Sequence, residues 1–153
     1  MSKIAIRLAE LGLEIPSPVA PVANYVPFVV NGRELFISGQ VSIAPSGLIR
    51  GKLGADMTID QGAEAARACA INLIAQMKAA LAGDLDRVRR IVKLTGFVNC
   101  TPEFTDQPKV INGASDLMVA VFGDAGRHAR AAVGAPSLPL GAAVEIDAIV
   151  EIA

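Results

Sequence analysis

The amino-acid sequence predicts an α+β fold, a mixed β-sheet with two long helices packed on one face and a short helix at the N-terminus. Three observations carry that prediction. A hairpin signature lies between Tyr25 and Ile43, a 3.6-residue apolar period begins at Thr58, and strand and helix patterns alternate from there to the end. With 153 residues, 52% of them apolar and 19% charged, the chain suits a single domain able to bury its own core. Residues 1–23 read as a leading helix and a Pro-rich connector, and 24–153 as the body.

The opening "SKIAIRLAELG" spaces Ile4, Leu8 and Leu11 on one helical face, with Ser2 as N-cap and Gly12 just past the end. "IPSPVAPVA" follows, and its prolines favour an extended path. In "YVPFVVNGRELFISGQVSI" two β-branched and aromatic runs flank Asn31-Gly32, a pair that tolerates the positive φ of a type I′ hairpin turn. "APSG" at 44–47 is a further turn, and "LIRGKLG" supplies a third short strand. From Thr58, the residues Ile59, Ala63, Ala66, Ala70, Leu73, Met77 and Leu81 form one stripe of a long helix. Thr58 and Gln61 match a capping box at its start, and Gly83 fits the position after its end. "RIVKLTGFVNC" reads as a strand, after which Val110, Ala114, Leu117, Val121 and Phe122 return to helical spacing. Gly113 weakens that second helix by about 1 kcal/mol relative to alanine if it faces solvent. "HARAAVGA" and "AAVEIDAIVEI" are two closing strands joined through "PSLPLG". A sheet face this rich in Val, Ile and Ala, left without helices, is most easily buried against other copies of the chain, which predicts a homo-oligomer.

Composition narrows the function. A net charge of -1, with Arg87, Arg89 and Arg90 diluted by Asp84 and Asp86, argues against nucleic acid as a partner. Two cysteines in apolar surroundings, Cys69 and Cys100, suit small core residues in a reducing compartment, so the expected location is the cytoplasm. No apolar run is long enough for a membrane span, and Lys3, Arg7 and Glu10 interrupt any signal-peptide core. A single histidine, His128, argues against a metal site.

The unusual feature is near the C-terminus: fourteen uncharged residues separate Arg130 from Glu145. If the last two strands form an antiparallel hairpin centred near Ser137 and Leu138, Arg130 and Glu145 stand directly opposite on one face. That pair reads equally well as a solvated cross-strand salt bridge, worth about 0–1 kcal/mol, or as a functional constellation.

"SGQ" at 38–40, "ARAAV" at 129–133 and "VEIDAI" at 144–149 resemble the Rid (YjgF-like) reactive-intermediate deaminases from about Tyr25 onward. Tyr25 stands fourteen residues before Gly39, and Glu145 fifteen after Arg130, as in that family. The resemblance implies a chorismate-mutase-like fold, a homotrimer with clefts at subunit interfaces, and hydrolysis of 2-imino acids to 2-keto acids and ammonia without a cofactor. It makes Arg130 the clamp for the substrate carboxylate and Glu145 the group that positions water and exchanges protons. Tyr25 would close the pocket and Gly39 permit close approach. On their own, Tyr25 reads as a half-buried strand aromatic and Gly39 as a bulge. The alternatives are a non-catalytic trimer that binds small carboxylates and, ranked last, the endoribonuclease of the family's older name. The chain departs from the family pattern in having His128 in place of the usual proline, Ala132 two residues after the arginine, and "ANYVPF" around Tyr25. Asn112 reads as a solvated helix residue.

Overall fold

The computed structural model describes residues 2–21 and 23–153. Helix α1 (Lys3–Glu10) is capped by Ser2, whose side chain accepts from the Ala5 N–H. Its N-terminus also meets the Asp86 carboxylate, which accepts from the backbone N–H groups of Lys3 and Ile4 and from the Ser2 hydroxyl. These donors hold the Asp86 carboxyl below the usual aspartate range. Strands β1 (Phe28–Asn31) and β2 (Glu34–Val41) form the expected hairpin. Asn31 pairs with Glu34, so the turn centres on Gly32-Arg33 rather than Asn31-Gly32. Only Gly32 has positive φ, +64°, the pattern of type II′ rather than type I′.

The third strand is shorter than the sequence indicates and lies outside the main sheet. β4 (Gly47–Leu48) pairs only with β3 (Ile43–Ala44). Helix α2 (Ile59–Ala80) starts with both halves of the Thr58–Gln61 capping box in place. It is buried well beyond one stripe, because the connector crosses it: the Gln76 amide donates to the Val19 carbonyl at 2.9 Å. Helix α3 (Gln107–Phe122) packs beside it on the same face of the sheet, between β5 (Val88–Asn99) and β6 (Ala129–Ala135) in the chain.

The five-stranded sheet has the order β1-β2-β7-β5-β6, with β7 spanning Val144–Ile152. Here the hairpin expectation fails: β6 and β7 are not neighbours. β6 pairs with β5 in parallel, the arrangement a helical crossover such as α3 produces, and β7 lies antiparallel between β2 and β5. Side-chain volume explains the choice. The helix-facing residues of β7, from Val144 through Ile146, Ala148 and Val150 to Ile152, are all buried, and each fully buried Val or Ile contributes about 1.5–3 kcal/mol. β6, built from Ala and Gly, has far less to gain from a central place. The β6–β7 connection is tied down by Asn99, whose amide donates to the Ala142 carbonyl at 3.1 Å while its Oδ1 accepts from Lys52 at 2.6 Å.

Gly113 proves to be a contact point rather than a weak one. A Cβ built there would overlap the Ala63 carbonyl of α2, so the glycine sets how closely the two helices approach. Helix propensity alone predicts that Gly113→Ala adds about 1 kcal/mol. The packing predicts the opposite sign, a loss of about 1–3 kcal/mol in urea unfolding, as overpacking against backbone does.

Candidate functional site

The bare face of the sheet carries a bulge. The β2–β7 register shifts between Ile37 and Gln40, which leaves Ser38 and Gly39 as the irregular pair. Ser38 donates from its backbone to the Pro27 carbonyl at 2.9 Å and from its hydroxyl to the Val26 carbonyl at 2.7 Å. These bonds fasten the segment carrying Tyr25 to the bulge. Gln40 turns inward and is buried, donating to the Ser38 carbonyl at 2.9 Å, while Gln76 of α2 donates to its Oε1 at 3.4 Å. The bulge is thereby held from within by α2.

Glu145 on β7 lies across Gly39. A Cβ at residue 39 would overlap Glu145 Oε1 and stand 3.1 Å from its Cδ, so the missing side chain is what makes room for the carboxylate. Glu145 is half-buried, and its pKa is raised above the usual glutamate value, first by desolvation and then by the like charge of Asp147 two residues along the same strand face.

Tyr25, Gly39, Gln40, Val41, Leu140 and Glu145 are among the residues lining a cleft of about 350 Å³. Tyr25, 49% exposed, stands at its rim. Leu140 is exposed too and holds a left-handed backbone, φ +60°, with its carbonyl accepting from Arg50 Nε at 3.0 Å. A larger cleft of about 500 Å³, between residues 14–19 and α2, contains none of the four residues singled out in the sequence.

The structure brings Tyr25, Gly39 and Glu145 together and does not bring Arg130 to them. Arg130 pairs with Leu94 of β5, a fully buried residue on the helix face, whereas Glu145 pairs with Phe97 on the opposite face. One strand lies between the two, and they project from different sides of the sheet. Arg130 instead reaches α3. Its Nη1 donates to Asn112 Oδ1 at 2.8 Å and Ser115 Oγ at 3.1 Å, and its Nη2 to the Pro108 carbonyl at 3.1 Å. Ala132 shares that helix-side face and packs against the core beside Gly96, where Ile111 of α3 fills the space a side chain would take. Cys69 is fully buried, and desolvation pushes its thiol well above the ordinary range, with the Glu145 charge adding to the effect. Among the described residues no cluster of His, Cys, Asp or Glu could hold a metal ion, and no helix is long and apolar enough to cross a membrane.

Residues 5–152 match the model of the YjgF/chorismate-mutase-like endoribonuclease family. The chain belongs to that family. This YjgF-like chain is similar to Protein TCP17 of Trypanosoma cruzi, 53% identical over 152 residues that cover 98% of this chain and 94% of that one. The crystal structure of Atu1372, a protein of unknown function from Agrobacterium tumefaciens, superposes with a TM-score of 0.91 at 51% identity, over 98% of this chain and 92% of that one. RidA of an Antarctic Psychrobacter gives a TM-score of 0.59 at 27% identity, over 91% and 96% of the two chains. The YjgF-like fold read from the sequence motifs is therefore the fold observed.

Sequence reasoning missed Gln40, Leu140 and Ser115. Gln40 was visible as the last residue of the quoted SGQ triplet, and Ser115 as the residue one helical turn after Asn112. Leu140 carried no signal, because its backbone conformation is imposed by the loop around it.

Because the folded protein binds a proton at Glu145 more tightly than the unfolded chain does, this residue's contribution is fully present in acid and is lost as pH rises through the raised pKa. Glu145→Gln escapes that loss. The melting temperature of the variant minus that of the parent should grow more positive from about pH 4 to pH 8. In a Gly39→Ala background, where the carboxylate must leave its place, this pH-dependent gain should shrink.

Proposed function

We propose that the protein hydrolyses reactive 2-imino acids of the 2-iminopropanoate or 2-iminobutyrate type to 2-keto acids and ammonia, in a cleft completed by a second copy of the chain within a homotrimer. The observation that carries this reading is the half-buried Glu145 carboxyl, raised in pKa and seated over the Gly39 bulge at the wall of a small cleft. Membership of a family that includes RidA supports the reaction class.

The chemistry needs few groups. Glu145 accepts a proton from water as the oxygen attacks the imine carbon, and a tetrahedral carbinolamine forms. On the protonated imine this leaves a neutral carbinolamine; the same carboxyl returns the proton to nitrogen, and as ammonia leaves the hydroxyl proton passes to the carboxylate and the C=O bond closes. A carboxyl whose pKa lies above the ordinary range is better matched to both transfers near neutral pH than an ordinary glutamate. Tyr25 at the rim offers a hydrogen bond and shields the cleft.

Arg130 enters as the substrate-carboxylate clamp. Its hydrogen-bond partners within the chain are all neutral, so its charge is left for an anion. It lies on the edge strand, away from Glu145, so in this reading each site takes Glu145, Gly39 and Tyr25 from one copy and Arg130 from the next. The bare sheet face, with Val29, Phe36 and Val133 exposed on it, is the surface those copies would cover.

The test generates 2-imino acids in situ with an amino-acid oxidase and times keto-acid release. The protein should accelerate release, and Arg130→Ala and Glu145→Gln should each abolish the acceleration. Refolding these two variants together should restore about a quarter of parental activity, because in a closed ring of randomly mixed copies one site in four draws both intact residues. Zero recovery would place both residues in one chain's site, and a monomeric mass in solution would remove the shared cleft altogether. Glu145→Gln that binds keto acid without turnover supports catalysis, whereas a parent that binds without turnover favours the carboxylate-binding alternative.

A further inference from the structure

We infer that His128 and Ser115 are positioning residues for the Arg130 clamp, forming a hydrogen-bond relay that anchors one side of the guanidinium and leaves the other side for a carboxylate. This inference rests on the proposed role of Arg130 and adds two residues that the reading does not otherwise use.

The relay can be read from its proton inventory. His128 Nδ1 lies 2.6 Å from the Gly126 carbonyl, which can only accept, so Nδ1 carries the hydrogen. In the neutral ring, Nε2 is then a bare acceptor, and the Ser115 hydroxyl 2.8 Å away donates to it. With its hydrogen committed to His128, Ser115 Oγ turns its lone pairs outward and accepts from Arg130 Nη1 at 3.1 Å. Asn112 Oδ1 takes the second Nη1 hydrogen at 2.8 Å, and the Pro108 carbonyl takes one from Nη2. Remove the histidine acceptor and the serine hydrogen is free to rotate toward a helix carbonyl one turn back, or toward the cation it should be receiving from.

The anchor at the far end is stiff. A Cβ on Gly126 would overlap the Met118 carbonyl and come within 2.9 Å of Val119 Cα, so the Gly126 backbone lies directly on α3. His128 is thus held by a carbonyl with little room to move, and it fixes Ser115 on the same helix.

What remains free gives the arrangement its purpose. Three of the five guanidinium N–H groups are used within the chain, and the two left over sit on Nε and Nη2. Those adjacent nitrogens form the side-on fork that pairs with both oxygens of a carboxylate. Saturating Nη1 selects that fork and removes the rotamers that would compete with it.

The measurement is calorimetric affinity for 2-oxobutyrate, together with KM and kcat for the corresponding imine, well below the melting temperature. His128→Ala and Ser115→Ala should each raise Kd and KM by about 3- to 10-fold, the loss expected of one hydrogen bond, with kcat within about twofold of the parent. His128→Gln, whose Oε1 can accept from Ser115, should recover most of the affinity. Adding His128→Ala to Arg130→Ala should cost nothing more, because the histidine acts only through the arginine. If Arg130→Ala weakens binding while His128→Ala and Ser115→Ala do not, or if the His128 and Arg130 losses simply add, the relay is wrong and the clamp stands. If Arg130→Ala leaves affinity unchanged, the clamp falls and the relay with it.

Discussion

Strand β7 makes ladder hydrogen bonds along both edges, to β2 on one side and β5 on the other, and the placement of every candidate site residue follows from that insertion. Lying against β2, β7 meets the irregularity at Ser38 and Gly39, and Glu145, paired with Val41 just beyond it, lays its carboxylate over the residue that has no side chain. Lying against β5, it pushes β6 to the sheet edge and separates Arg130 from Glu145 by a whole strand. The driving term is burial: the helix-facing residues of β7 are the apolar centre of the sheet, and no other strand from the last third of the chain could fill that place as well.

Separating a carboxyl from a guanidinium has an electrostatic consequence. Side by side, each would have neutralised the other, and the carboxyl would have been pulled down in pKa. Apart, Glu145 feels burial and Asp147 and is pushed up, while Arg130 keeps an uncompensated charge among neutral acceptors. Each is then suited to a separate task in the proposed reaction, one to move protons and the other to hold an anion. The helices take part in both. Gln76 of α2 braces the bulge through Gln40, and Asn112 and Ser115 of α3 hold the guanidinium. The close approach of α2 to α3 at Gly113 and of α3 to the sheet at Gly96 brings those side chains within reach.

Much of this could be read in one dimension. The capping box at Thr58 and Gln61, the hairpin flanking Gly32 and the two long helices are local matters, decided by residues within a few positions of one another. The SGQ, ARAAV and VEIDAI motifs, with the spacing of Tyr25 to Gly39 and of Arg130 to Glu145, were enough to recognise the YjgF-like family. Where local reasoning went astray, a distant partner had intervened. The turn type followed the register of the whole hairpin, α2 was buried on a second side by a connector some 57 residues away in the chain, and Gly113 faced another helix's carbonyl rather than solvent.

The sequence by itself determined the inventory: the main strands and the helices, that a lone arginine and a lone glutamate bracket an apolar run, and that a glycine stands where β2 must open. Only the tertiary structure decided how that inventory is shared out. Two strands consecutive in the chain did not pair, because a helical crossover had already set β6 parallel to β5 and the sheet centre rewarded the bulkier β7. Strand order depends on competition among all strands for burial, a quantity no short stretch of residues contains, and it put the glutamate on one face and the arginine on the other.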